Sequence, residues 1–188
     1  MPGVLLVISG PSGVGKSTVV AELRERRRFH FSVSATTRER RPDETDDVDY
    51  HFVTVDRFKE MIEAGELLEW AEYAGRYYGT PRQPVLREIQ AGNDVLLDIE
   101  NQGAMQVRES WPEALLIFIA PPSLDELERR LRSRGDTPEE DIAARLSVSA
   151  EQVEQARRDY DRVVTNQDVD AVTAEILDIL AEHEQGTQ

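Results

Sequence analysis

The N-terminal sequence VLLVISGPSGVGKST, residues 4–18, joins an apolar run to a glycine-rich turn. Residues 4–8 are all aliphatic, and the run ends at a Gly-Pro pair. Its length and β-branched residues are typical of a strand buried on both faces of a parallel sheet. In residues 16–27, Val20 and Leu23 are spaced as on one side of a helix. The stretch therefore predicts a buried strand, a tight turn and a helix.

The turn has the spacing of a phosphate-binding loop. Gly10 is followed by four residues and then by Gly15, Lys16 and Ser17, which is the P-loop pattern between a strand and a helix. Glycines let several backbone N–H groups point at one phosphate, and the helix N-terminus adds partial positive charge. The pattern predicts Lys16 on the β- and γ-phosphates of a nucleotide and the Ser17 hydroxyl on Mg²⁺. The predicted nucleotide-binding residues of the loop are Gly10, Pro11, Ser12, Gly13, Val14, Gly15, Lys16, Ser17 and Thr18.

The alternative interpretation is an ordinary glycine-rich turn with a solvated lysine. Of the 22 basic residues only Lys16 and Lys59 are lysines, so chance would place a lysine at position 16 about 2 times in 22. A compact ammonium also suits the interior of such a loop better than a planar guanidinium does. The composition therefore favours nucleotide binding.

The rest of the chain alternates between predicted strands and helices. Further buried strands are predicted at residues 94–99, 115–120 and 162–165. This alternation predicts an α/β fold, with a parallel-sheet core flanked by helices. Residues 34–90 differ, because DYHFVTV alternates and LLEWAEYAGRYYGT indicates short strands around an Ala-Gly turn, so a small mixed α/β insertion is expected there.

Two capping-box patterns predict where helices begin. Ser123 and Thr137 each precede a glutamate by three residues, which predicts two helix starts, the second with Pro138 as its first helical residue.

Asp98 ends the strand pattern VLLD, where the carboxyl ends of parallel strands meet a ligand crevice. A role in holding a Mg²⁺-bound water and a role as a helix cap or surface acid both remain open for Asp98.

Composition excludes several classes of function. The net charge of −15 argues against nonspecific binding to nucleic acid or to an anionic membrane. The absence of cysteine excludes disulfides, zinc thiolates and a cysteine nucleophile. No apolar run reaches the roughly 18 residues of a membrane helix, and VLLVI is too short for a signal peptide. We expect a soluble cytoplasmic protein without nucleic-acid or membrane partners, of undetermined oligomeric state.

An arginine-rich stretch, SATTRERRPDETDDVDYHF, spans residues 34–52. Arg38 and Arg41 are three residues apart, so a loop or one helical turn can aim both at a single phosphate. The alternative is an exposed charge cluster neutralised by the carboxylates that follow, which would contribute little energetically. The pattern by itself leaves both interpretations open.

Five segments together resemble the guanylate kinase family. They are GPSGVGKST, SVSATTRERRPDETDDVDYHFV, LLEWAEYAGRYYGT, LLDIENQGA and LRSRGDTPEEDIAARL, and their order and spacing match from Val4 to about Asn166. The resemblance implies transfer of a phosphoryl group from ATP, the donor, to GMP, the acceptor, with Mg²⁺ as cofactor. It also implies a single domain with a core (1–33, 91–122 and 156–188), a GMP-binding insertion (34–90) and a helical lid (123–155).

The resemblance implies a role for each of several residues. The GMP phosphate would be held by Arg38, Arg41, Tyr50 and Tyr78. The guanine would be surrounded by Ser34, Glu69, Thr80 and Glu100. Catalysis would depend on Lys16 and on the lid arginines Arg134 and Arg145, while Asn166 would lie near the ATP nucleoside.

Departures and alternatives qualify this interpretation. The family usually has aspartate where this chain has Glu100, whose side chain is longer by one methylene group. The trio Arg129, Arg130 and Arg132 is predicted either to form a solvated helix face or to pair with the acids Asp125, Glu126 and Glu128 at helical spacing, without a catalytic role. Two other functions stay open: a catalytically inactive guanylate-kinase-like protein-interaction module, and a kinase for another monophosphate.

Overall fold

In a computed structural model of the chain, residues 2–73, 75–134 and 138–186 are described, with only the backbone described for Tyr73 and Arg134. The strands are β1 Leu5–Ser9, β2 His30–Phe31, β3 Ala35–Thr36, β4 His51–Phe52, β5 Leu67–Tyr73, β6 Arg76–Pro81, β7 Val95–Asp98, β8 Leu115–Ala120 and β9 Arg162–Thr165. The helices are α1 Lys16–Arg26, α2 Val55–Glu63, α3 Arg82–Gln90, α4 Asn101–Ser110, α5 Leu124–Arg134, α6 Glu139–Asp159 and α7 Val169–Gly186.

The larger sheet has five strands in the order β2-β7-β1-β8-β9. The pairs β1–β8, β2–β7 and β8–β9 are all parallel. Every residue of β1 and of β8 is buried, which explains why their sequences, apart from Ser9 at the end of β1, are apolar throughout rather than alternating. The predicted α/β fold with a parallel-sheet core is confirmed.

The smaller sheet has four strands in the order β4-β3-β6-β5. Its strands β5 and β6 form an antiparallel hairpin in which Glu69 lies opposite Thr80. Strand β3 pairs antiparallel with β6 and parallel with β4, so this sheet contains both kinds of pairing. Ala35, Phe58, Met61 and Leu67 form a buried cluster beneath it.

The chain divides into two compact units. One comprises residues 1–5, 29–97 and 102–114, and the other comprises residues 6–28, 98–101 and 115–188. In the second unit α1 packs against α7, and α5 packs against α6. Ion pairs from Arg26 to Asp170 and from Arg27, the C-cap of α1, to Glu184 also join this end of α1 to α7. Among the helices described, none combines the length and apolar composition that a bilayer crossing requires.

The two predicted helix starts differ in outcome. The Glu126 N–H donates to Ser123 Oγ at 3.1 Å, so the first cap is confirmed. Thr137 lies outside the described residues. The prediction that Pro138 is the first helical residue is wrong, because its ψ of 143° is extended and α6 begins at Glu139. Pro138 provides no side-chain cap, but the first turn of α6 contains three acidic residues, and the partial positive charge of the helix N-terminus stabilises their carboxylates.

The cluster beneath the smaller sheet generates a stability prediction. Phe58 is 0% exposed, and its ring stacks on Tyr77 at 5.4 Å between centroids. We expect Phe58→Ala to lower the free energy of unfolding by about 3–5 kcal/mol in urea denaturation, because it leaves a cavity. Phe31, which is 42% exposed, provides the control. If Phe58→Ala lowered the free energy of unfolding no more than Phe31→Ala does, the assignment of Phe58 to the buried cluster would be contradicted.

Candidate active site

Residues 10–18 form the turn that joins β1 to α1. Gly13 has a φ of 83° and Gly15 a φ of 94°, a left-handed conformation that side-chain-bearing residues rarely adopt. A Cβ on Gly10 would lie 2.5 Å from the Ile119 carbonyl oxygen, so this position also requires glycine. Gly15 is the N-cap of α1, and the first N–H groups of that helix therefore open onto the turn. The turn has the geometry of an anion-binding loop.

Lys16 lies at the carboxyl end of β7. Its Nζ is 2.6 Å from Asp98 Oδ1, and it donates to the Ile99 carbonyl oxygen at 3.1 Å. Asp98 is the last residue of β7, so the predicted lysine and the predicted metal-associated carboxylate are adjacent. Ser17, on the first turn of α1, is exposed. The lysine is therefore held beside the turn and not extended into solvent.

Asn166 follows β9 and is 3% exposed. Its Nδ2 donates to the Val14 carbonyl oxygen at 2.8 Å, so this residue contacts the loop directly. Arg130, on α5, donates from Nη1 to the same carbonyl at 3.0 Å. The contact of Arg130 with the loop was not predicted from the sequence. One signal was available, since Arg130 lies three residues after Leu127 and one before Leu131, on the apolar side of α5, whereas the trio was treated as a uniform polar face.

The other two arginines of the trio behave as predicted. Arg129 pairs with Glu126, and Arg132 pairs with Glu128 on the same helix and with Glu139 on α6. They cover the outer face of α5, and neither contacts the loop through a described hydrogen bond. The trio thus divides into one loop-contacting residue and two surface residues.

In the other unit, Arg38 is oriented by a carboxylate. It donates to Glu44 from Nη1 at 2.9 Å and from Nη2 at 2.7 Å, and the Arg41 N–H donates to the same carboxylate at 2.8 Å. The bond from Arg38, followed by that from Arg41, lowers the pKa of Glu44 to about 2. The guanidinium of Arg41 is exposed. Part of the acidic stretch therefore pairs with the arginines, as the alternative interpretation proposed.

Two further acids of this stretch organise its backbone. Asp46 Oδ1 accepts from the Phe52 N–H at 3.0 Å, and Asp49 Oδ2 accepts from the Thr45 N–H at 2.7 Å. These carboxylates close the loop that leads from the arginines into β4. Part of the density of acids here is thus explained by local hydrogen bonding as well as by pairing with arginine.

Aromatic rings surround the Arg38 side chain. The guanidinium carbon lies 5.3 Å from the centroid of the Tyr50 ring and 5.7 Å from that of Phe52. The rings of Tyr50 and Tyr78 meet edge to face at 6.2 Å. Arg38, Tyr50 and Tyr78 therefore lie together, and the cation is held against ring faces that attract positive charge.

Glu69 and Thr80 form a buried polar pair across the β5–β6 hairpin. Glu69 is 6% exposed, Thr80 is 1% exposed, and Thr80 Oγ1 donates to Glu69 Oε1 at 2.6 Å. Burial raises the pKa of the Glu69 carboxyl, while the bonds from Thr80 oppose that shift. A buried carboxylate keeps a strong preference for hydrogen-bond donors, since nothing else solvates it. Its second oxygen can accept from a ligand.

The other predicted site residues lie in varied surroundings. Ser34 is half-buried, and its carbonyl accepts from the His51 N–H at 2.9 Å. Glu100 is exposed, just before α4. Arg145 is half-buried on α6. The side chain of Arg134 lies outside the described residues.

A glycine loop between a buried strand and a helix, with its lysine at the carboxyl end of a parallel strand, defines a P-loop nucleotide-binding protein. A family model described as guanylate kinase matches residues 3–183. The chain belongs to the guanylate kinase family, and the family predicted from the sequence is confirmed.

Individual relatives agree with this assignment. A guanylate kinase of Thermosynechococcus vestitus is 57% identical over 170 residues, covering 90% of this chain and 88% of that protein. One of Thermobifida fusca is 50% identical over 181 residues, covering 96% and 92%. The crystal structure of a guanylate kinase from Anaplasma phagocytophilum is similar, with a TM-score of 0.73, 36% identity, and coverage of 96% of this chain and 86% of that one.

The pairing of Arg38 with Glu44 generates a pH prediction. The folded-state pKa of Glu44 is depressed to about 2, so the stability that the pair contributes is present above the ordinary glutamate pKa of about 4.3. That contribution is lost as the pH falls from about 4.3 through about 2. In a carboxyl NMR titration, Arg38→Met should raise the Glu44 pKa most of the way towards its ordinary value, since only the bond from the Arg41 N–H would remain, whereas Arg40→Met should leave it low. An unchanged Glu44 pKa in Arg38→Met would show that the pair is absent in solution.

Proposed function

We propose that this member of the guanylate kinase family transfers the terminal phosphoryl group of ATP to GMP, giving ADP and GDP. The observation that carries the proposal is the complete phosphate loop with Lys16 held at the carboxyl end of β7. A module that only binds other proteins has no need for a lysine in that position. The curated relatives named above all carry the name guanylate kinase.

The donor site is assigned to residues 10–18. Backbone N–H groups of the turn and the N-terminus of α1 would hold the phosphates, and Lys16 would exchange its bond to Asp98 for the β- and γ-phosphates. Asn166, buried against the loop, is assigned to the nucleoside side of ATP. The lysine is already positioned for this, because its ammonium is fixed at two points beside the turn.

The donor site fits Mg²⁺. Ser17 and Asp98 offer a hydroxyl and a carboxylate, the hard oxygen ligands that this ion takes, directly or through water. Within the described residues, no three His, Cys, Asp or Glu side chains converge as a metal site, so phosphate oxygens would have to complete the coordination. When bound, the ion would neutralise charge on the β- and γ-phosphates.

The acceptor site is assigned to the Arg38 cluster and the Glu69–Thr80 pair. Arg38, already oriented by Glu44, and the exposed Arg41 would hold the GMP phosphate, with the hydroxyls of Tyr50 and Tyr78 nearby. Arg38 has five N–H donors, so a phosphate can bind while the bonds to Glu44 remain. Ser34 and Glu100 are assigned to the guanine edge.

Glu69 is assigned as the reader of the base. Guanine presents two adjacent N–H donors, at N1 and N2, and a single carboxylate can accept both, whereas adenine lacks that pair. Thr80 occupies one oxygen and fixes the orientation of the carboxylate. Because Glu69 is buried, a base that leaves it without a donor would bind poorly.

The chemical step needs charge stabilisation more than proton transfer. An oxygen of the GMP phosphate attacks the γ-phosphorus of ATP, and the bond between that phosphorus and the β–γ bridging oxygen breaks, leaving ADP. A phosphate monoester is largely ionised at neutral pH, so no general base is required. Arg134 and Arg145 are assigned to the charge that develops on the transferring group, and closure of residues 123–155 would exclude water.

The two alternatives are separated by one assay. ATP is supplied with GMP, dGMP, AMP, UMP or CMP, and ADP formation is coupled to NADH oxidation. GMP-dependent turnover supports the proposal. Turnover with another monophosphate but not with GMP would establish a different kinase, and binding without turnover would favour an inactive module. We also assign the protein to the cytoplasm.

Lys16 provides the test of the donor site. Lys16→Met keeps most of the side-chain length and removes the charge, so we expect kcat to fall by about 100-fold or more while the thermal midpoint is retained. Lys59→Met is the matched control, because Lys59 is the other lysine of the chain and is exposed on α2. Near-normal turnover by Lys16→Met would exclude the assigned ATP site.

Glu69 provides the test of base selection. Glu69→Gln keeps the shape but turns one acceptor into a donor that opposes guanine, so kcat/KM for GMP should fall by about 100-fold or more. The affinity for ATP, measured by calorimetry, should stay unchanged. Glu72→Gln is the control, since Glu72 lies on the same strand and is exposed. If Glu69→Gln bound GMP as tightly as the wild type, the base reader would lie elsewhere, with Glu100 the next candidate.

A further inference from the structure

The carbonyl oxygen of Val14, inside the phosphate loop, accepts two hydrogen bonds from side chains distant in sequence. Asn166 Nδ2 donates at 2.8 Å and Arg130 Nη1 donates at 3.0 Å. Val14 is 0% exposed and Asn166 is 3% exposed. A buried carbonyl with two lone pairs is thus fully satisfied from outside the loop.

The Arg130 guanidinium is fixed at each of its three nitrogens. Besides the bond to Val14, Nη2 donates to the Asn166 carbonyl oxygen at 3.2 Å and Nε donates to Glu126 Oε1 at 2.8 Å. Glu126 is itself held, because its N–H caps α5 on Ser123. Asn166 is anchored in turn, since its N–H donates to the Ala120 carbonyl at the end of β8.

Holding this carbonyl has a consequence for the next N–H. The Val14 C=O and the Gly15 N–H belong to one planar trans peptide, so they point in opposite directions. Fixing the carbonyl outward therefore directs the Gly15 N–H to the opposite side of the loop. Within the described residues, that N–H donates no hydrogen bond. Backbone N–H groups of this kind are what a glycine-rich loop offers to phosphate.

We propose that Arg130 and Asn166 are positioning residues of the phosphate loop, which hold the Val14–Gly15 peptide so that the Gly15 N–H points at the bound phosphate chain. The identity of that ligand as ATP rests on the function proposed above, but the geometry requires only a polyphosphate. Glu126 acts one step further out, by orienting Arg130.

A purely structural role, fastening α5 to the loop, is the competing explanation. Helix α5 has apolar contacts that serve this purpose, because a Cβ on Gly13 would lie 2.8 Å from Leu131 Cδ2 and 3.5 Å from Leu127 Cδ1. Both leucines are at most 1% exposed. The two explanations differ in what they predict, since fastening affects stability and peptide positioning affects phosphate affinity.

The test compares Arg130→Met with Arg129→Met. Both changes remove one positive charge from α5 and one partner of Glu126, but Arg129 is 73% exposed and makes no described bond to the loop. Sodium tripolyphosphate, which carries no nucleoside, is titrated by calorimetry without metal. We expect Arg130→Met to bind tripolyphosphate at least fivefold more weakly than Arg129→Met does. The affinity of Arg130→Lys should lie between those of Arg130→Met and the wild type, because an ammonium can reach one carbonyl but cannot span three partners.

Asn166→Leu tests the second donor without changing charge. This substitution should also weaken tripolyphosphate binding at least fivefold. The NMR signal of the Gly15 amide proton should change less in chemical shift during the titration than it does in the wild type. The affinity for GMP should stay within twofold in all these variants. If Arg130→Met did not fold, Arg130→Lys and Asn166→Leu would decide the question by the same measurements.

Two results would overturn the proposal. The first is tripolyphosphate affinity in Arg130→Met and Asn166→Leu equal to that in Arg129→Met. The second is a parallel loss of GMP affinity, tripolyphosphate affinity and thermal midpoint, which indicates a structural fastening. Failure of the proposed function would be seen separately, as a wild-type protein that binds tripolyphosphate with this pattern yet does not phosphorylate GMP.

Discussion

The turn from β1 into α1 requires residues without side chains at positions 13 and 15. Both have positive φ, and the space that a side chain would need is already filled, by Leu131 of α5 at one position and by the Asn166 amide at the other. The loop therefore packs directly against α5 and against the segment that follows β9. Lys16 begins α1 directly after this turn, so the direction of its side chain depends on the same constraint.

Three cations at or beside the candidate sites are each oriented by a carboxylate. Lys16 is paired with Asp98, Arg38 with Glu44, and Arg130 with Glu126. Such partly exposed pairs contribute little to stability, but they restrict long side chains to one direction. This explains how a chain with a net charge of −15 can present positive groups to phosphate. The acids set the geometry at close range, and the total charge of the protein has little influence there.

The phosphate loop could be predicted from the sequence because its residues are consecutive in the chain, so their spacing determines the geometry of the loop. The Glu69–Thr80 pair spans a hairpin, and its role came from family resemblance, since nothing in an isolated glutamate indicates that it is buried. Arg130 was missed for a different reason. Its partner is a backbone carbonyl 116 positions away, and every residue has a carbonyl. The start of α6 was placed one residue too early because proline is favoured at the first helical position, whereas Pro138 stands at the N-cap, where its fixed φ is also allowed and it supplies no side-chain cap.

The contact between Gly15 and Asn166 also limits how sequences of this family can diverge. A methyl group at position 15 would lie 2.7 Å from Asn166 Nδ2, on a backbone that already disfavours it. A smaller residue at 166 would relieve the clash but would remove a donor from the Val14 carbonyl. Either change alone would therefore disturb the loop, the first through a clash and the second by leaving the Val14 carbonyl one donor short. Positions 15 and 166 thus constrain one another directly, although they are 151 residues apart in the chain (166 minus 15).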